Sequence, residues 1–131
     1  MKFKKVISLA ITTLVLNAVF IVEASAESIR LRCETRTARS KISVDGRSLS
    51  KNMTYKAQVT SGGVTVLSKL PMKRPVGGEV EFDFDSDGGD IRAGATAIKA
   101  GFIKKNHVTA SIVDRDGYKV TDSEACTAKK K

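Results

Sequence analysis

From Glu79 to Asp85 apolar and acidic residues alternate without a break: Val80, Phe82 and Phe84 are separated by Glu81 and Asp83 and flanked by Glu79 and Asp85. Successive side chains of an extended chain point to opposite faces, so this spacing predicts a strand with one core face and one acidic face. On a helix the same residues would scatter around the axis and leave no apolar stripe. The period recurs along the chain. Ile29, Leu31 and Cys33 alternate with Arg30, Arg32 and Glu34, and Ile42 and Val44 alternate with Lys41 and Ser43. Tyr55, Ala57 and Val59 enclose Lys56 and Gln58, and Val108, Ala110 and Ile112 enclose Thr109 and Ser111.

Turn chemistry divides these runs. Asp45-Gly46 predicts a turn after Val44, and Ser61-Gly62-Gly63 folds residues 54–70 into a hairpin that resumes at Val64-Thr65-Val66. Pro71 to Gly78, with two prolines and two glycines, reads as a loop. So does Asp87-Gly88-Gly89-Asp90, while Asp114-Arg115-Asp116-Gly117 turns the chain into a last strand that reaches Cys126. Residues 91–106 fit no single pattern: Ala93, Ala95 and Ala97 allow a helical turn, and Gly94, Thr96 and Gly101 oppose a long helix. About seven short strands spaced by turns predict an all-β fold, a small two-sheet antiparallel β-sandwich. In outline it resembles an immunoglobulin-like architecture, without a tryptophan and with a longer cysteine span than the usual inter-sheet bridge.

The chain opens with Met1-Lys2-Phe3-Lys4-Lys5, continues through an apolar stretch from Val6 to Val22 and reaches Glu23-Ala24-Ser25-Ala26. A basic start, an apolar run and small residues before a cleavage point are the layout of a secretory signal peptide. Residues 1–26 are therefore expected to be removed near Ala26, which leaves 27–131 as one β-sandwich domain with a short basic tail, Lys129-Lys130-Lys131. The expected location is periplasmic or extracellular, and no second apolar stretch long enough to span a membrane follows. In such a compartment disulfides persist, and Cys33 and Cys126 are expected to bridge the terminal strands.

The formal charge is +9; Lys2, Lys4, Lys5 and Glu23 account for +2, which leaves +7 for residues 27–131. Residues 27–75 hold eleven Lys/Arg against three acids, whereas residues 79–90 hold six acids and no base. Two candidate sites follow from this unevenness. Asp83, Asp85, Asp87 and Asp90 place carboxylates at near-alternate positions around Gly88, a way of gathering oxygen ligands for calcium. An EF-hand loop starting at Asp83 would need Glu at its twelfth position, where this chain has Gly94. Arg30, Arg32 and Arg36 share one strand face by parity and Lys41 follows, a surface for an anionic envelope component. A nucleic acid is the less favoured partner, because stacking needs aromatics among the bases, and only five Phe and two Tyr occur.

Catalysis finds little support. The one histidine, His107, stands beside Asn106 in an expected turn, and both cysteines are expected to be oxidised. The sequence therefore points to an exported, non-catalytic binding or envelope-associated module that needs no cofactor. A calcium-binding extracytoplasmic module is its rival.

Overall fold

The computed structural model describes residues 26–127 and 129–130; apart from Ala26, the expected signal peptide lies outside them. Nine strands and one short helix occur among the described residues. In chain order they are β1 (Ser28–Arg36), β2 (Arg39–Arg47), β3 (Tyr55–Ser61), β4 (Val64–Leu67), β5 (Val80–Asp85), α1 (Gly88–Arg92), β6 (Thr96–Ala97), β7 (His107–Asp114), β8 (Lys119–Thr127) and β9 (Lys129–Lys130). They form a five-stranded sheet, β9-β1-β2-β5-β6, and a four-stranded sheet, β4-β3-β7-β8. The all-β expectation holds.

The alternation sets the faces. Leu31, Val44 and Phe82 align across β1, β2 and β5, as do Cys33, Ile42 and Phe84. Ala57 and Val59 of β3 lie opposite Ile112 and Ala110 of β7. Side chains from both sheets meet in one buried cluster that includes Ile42, Val44, Phe82 and Phe84 from the first sheet, with Ala57, Val59, Val108 and Ile112 from the second. Burial of each such branched or aromatic side chain contributes about 1.5–3 kcal/mol. Cys33 and Cys126 are bonded, with Cα atoms 6.1 Å apart and a sequence separation of 93. The bond ties β1 of one sheet to β8 of the other. It reaches the penultimate strand rather than the last, because β9 follows.

Several expectations are corrected. Asp45-Gly46 is no turn: β2 continues to Arg47, with Gly46 opposite Ile29 and Val80. A Cβ on Gly46 would lie 2.8 Å from Leu49 Cδ1, 3.3 Å from Val80 Cγ2 and 3.4 Å from Ile112 Cγ1, so the glycine admits close packing inside a strand. The β1–β2 turn instead falls at Thr37-Ala38, with Ala38 at φ 62°. The expected hairpin turn at Gly62-Gly63 is present, at φ 57° and 81°. Pairing is not wholly antiparallel, since β9 joins β1 and β6 joins β5 in parallel over two residues each. The expected loop at Asp87–Asp90 winds into α1, and His107 opens β7 as an exposed strand residue. Residues 91–106 contain β6 and turns, and no long helix. None of the helices among the described residues is long and apolar enough to cross a membrane.

Candidate functional site

The two sheets of charge that the sequence separates become neighbours on the outer face of the five-stranded sheet. β2 lies between basic β1 and acidic β5, so Arg32, Ser43 and Asp83 form one row, and Glu34, Lys41 and Asp85 the next. An open hollow of about 990 Å³ covers these rows. Of the acidic candidates Asp83, Asp85 and Asp90 line it, and of the basic ones Arg32 and Lys41 do. Asp87, Arg30 and Arg36 lie outside its lining.

Asp85 departs from the acidic face that parity predicts. It is 1% exposed, whereas Glu81 and Asp83 on the same strand are exposed. Arg39, at the start of β2, covers it: Nε donates to Oδ1 at 3.0 Å and Nη2 donates to Oδ2 at 2.8 Å. The Asp87 amide adds a third bond to Oδ1 at 2.9 Å. Burial pushes the Asp85 carboxyl up, and the bonds from Arg39 and the Asp87 amide outweigh it, holding the carboxyl down at about 2. Arg39 in turn is stabilised further in its charged form, first by its hydrogen bond to Asp85.

The same Nη2 donates to Asp90 Oδ2 at 2.7 Å, and Lys41 Nζ stands 3.9 Å from that oxygen. Hydrogen-bonding contact with Asp85, and then burial, raise the Asp90 carboxyl above the usual range. Asp87 is the N-cap of α1, its Oδ2 accepting the Asp90 amide at 3.1 Å. Asp83 accepts from Ser43 Oγ at 2.9 Å. Asp85, Asp87 and Asp90 are thus linked at one corner, with Arg39 between Asp85 and Asp90, while Asp83 is held apart by Ser43. Ser40 pins the corner: its amide donates to Ser86 Oγ at 2.9 Å, and Ser86 returns a main-chain bond to the Ser40 carbonyl at 3.0 Å. Among the described residues no cluster of three or more His, Cys, Asp or Glu is arranged to hold a metal ion.

The basic candidates are largely paired. Arg32 meets Asp45 Oδ2 at 3.3 Å, and Arg36 donates twice to Glu34 Oε2, at 3.1 and 2.9 Å. Asp45 Oδ1 is enclosed without a donor among the described residues. Arg30 has no ion-pair partner among them. Sequence reasoning passed over Arg39, because nothing local marks it from the other ten bases of residues 27–75. The signal that could have found it is its place directly after a turn, where a long side chain can reach past the end of the pairing to the neighbouring strand. Ser61 Oγ meets His107 at its main-chain carbonyl, donating at 2.7 Å, rather than at its ring. Comparison with known proteins finds no matching family model, no matching curated protein and no matching solved structure.

Proposed function

We propose that the chain is an exported, non-catalytic β-sandwich that binds another macromolecule at the cell envelope. The observation that carries this reading is the state of the charged side chains. Arg39, Ser43 and main-chain amides hold the carboxylates of Asp83, Asp85, Asp87 and Asp90 in place. What faces solvent is then a fixed, mixed-charge surface on a sheet, suited to complementary contact rather than to bond chemistry. The disulfide and the joint core of the two sheets supply the rigid support that such a surface needs. Export is supported by the tripartite opening of the sequence and by a bridge of a kind that persists outside reducing compartments.

The rival calcium reading draws on the convergence of Asp85 and Asp90, whose carboxylates share the Arg39 Nη2 donor. It requires Arg39 to give up both. Capture from the native envelope fraction, with the disulfide intact, separates the two readings. The expected result is one macromolecule retained equally with chelator and with calcium. Retention that vanishes with chelator and returns with calcium would move the function to the Asp83–Asp90 segment.

A further inference from the structure

Three loops meet at the end of the molecule where β3 begins. Tyr55 exchanges two main-chain bonds of 2.8 Å with Lys73, and its hydroxyl accepts the Ser50 amide at 3.0 Å. On its other side Tyr55 stands opposite Asp114, whose amide donates to the Tyr118 carbonyl at 3.0 Å. Leu49 donates to the Gly78 carbonyl at 2.9 Å, and Arg74 Nη1 donates to the Lys51 carbonyl at 3.1 Å. The loops are therefore fixed to one another and present a preformed surface.

That surface combines two properties. First, it carries the most exposed large apolar side chains among the described residues: Val76 at 84%, Leu70 at 76% and Tyr118 at 70%. Second, its bases are not neutralised. Arg47, Lys51, Arg74, Arg115 and Lys119 are exposed there, against the exposed acids Glu79 and Asp116. None of the five joins an ion pair among the described residues. The nearby Asp114 is buried and accepts the amides of Asp116 and Tyr118 at 2.9 and 3.1 Å. By contrast Arg32, Arg36 and Lys41 on the sheet face each have a carboxylate within 4 Å.

Exposed apolar groups ringed by cations are costly in water and find both their needs at a membrane surface. Bases rest at the phosphates, and apolar side chains enter the layer beneath. A tyrosine suits the boundary because its ring is apolar and its hydroxyl stays wet. We propose that this end of the molecule docks on an anionic lipid surface, with Val76 and Tyr118 entering the interfacial layer and Arg47, Lys51, Arg74 and Arg115 resting on headgroup phosphates. An acidic polysaccharide would use the bases and leave Val76 and Tyr118 idle, which is why a lipid is the better match. The inference rests on the reading of the chain as an envelope-binding module and adds a lipid contact at a surface apart from the mixed-charge sheet face.

Co-sedimentation tests it, using the purified protein with its disulfide intact. The probes are vesicles of phosphatidylglycerol mixed with phosphatidylcholine, and vesicles of phosphatidylcholine alone. Retention is expected on the mixed vesicles and at least about tenfold weaker on the neutral ones. Val76→Asp with Tyr118→Ser, and separately Lys51→Glu with Arg115→Glu, should each weaken retention about tenfold while leaving the melting temperature unchanged. Lys105→Glu, exposed in the turn before β7 at the opposite end of that strand from Asp114, should leave retention as it is. Equal retention on both vesicle types overturns the proposal. So does retention that ignores Val76→Asp with Tyr118→Ser but follows the bases and heparin, the outcome expected of a polysaccharide site. A protein that captures an envelope macromolecule yet leaves vesicles alone overturns this inference and leaves the binding-module reading standing.

Discussion

Arg39 reaches Asp85 across 46 positions of sequence and binds both of its carboxylate oxygens. An Arg39→Met exchange would leave a buried carboxylate without its counter-charge and should lower stability clearly. Adding Asp85→Asn should recover most of the loss, since an amide oxygen still accepts the Asp87 N–H and needs no cation. Chemical denaturation of the single and double variants checks this, and a stable Arg39→Met protein would show the pair to be idle. The pair also sets an acid limit. Asp85 is held at about 2 when folded, against roughly 3.9 when unfolded. Its contribution is thus fully present above roughly pH 4 and is lost as pH falls towards the folded value. Asp90 has the opposite sign, because its carboxyl is raised in the fold. Its favourable protonation is present below the unfolded value and is withdrawn as pH rises through the folded one. Asp90→Asn should remove that decline, read as a flatter stability curve on the alkaline side of roughly pH 4. Alternation alone could not foretell a buried Asp85, since the group that covers it comes from another strand.

At the scale of elements, local signals succeeded where two of them agreed. Around Gly62-Gly63 the turn pair and the alternation of Tyr55 to Val66 demand the same hairpin, and β3 and β4 form it. At Asp45-Gly46 the turn pair contradicted the space available. Leu49, Val80 and Ile112 converge there, so the glycine serves packing between elements and the strand runs on. Gly46→Ala should cost about 1–2 kcal/mol through overpacking, with thermal melting as the measure. A cost near zero would show that Leu49 can swing aside. The acidic segment was legible as a cluster but not as a cap. Asp87 stops the strand pattern and starts α1, and Asp87→Ala should cost about 1 kcal/mol in the same assay. If the segment serves α1 and Arg39 in this way, millimolar calcium should yield neither titration heat nor a rise in melting temperature. Stoichiometric heat would establish the rival calcium reading instead.

For the whole molecule the consequence concerns how two sheets stay together over a modest core. Charge is segregated along the sequence, with six acids in residues 79–90, yet β2 places the acids beside the bases of β1. No pattern within one segment encodes that neighbourhood, because it depends on strand order. The covalent tie was legible, since Cys33 falls on the apolar parity of β1 and the export expected from the opening of the sequence would allow oxidation. Cross-linking residues 93 positions apart lowers the entropy of the unfolded chain by a loop-closure amount worth about 4–5 kcal/mol. A small domain has a total stability of about 5–15 kcal/mol, so the bond accounts for a large share of it. Reduction, or Cys33→Ser with Cys126→Ser, should therefore lower the denaturant midpoint steeply, and it should do so without affecting the local exchanges at Gly46 or Asp87. Amide exchange then locates the weakness. If the bond acts on the unfolded chain, protection should fall by a similar factor in β2 of one sheet and in β7 of the other. If it acts as a local staple, protection should fall at β1 and β8 and persist in the remaining strands, and the chain-entropy account would be wrong for this fold.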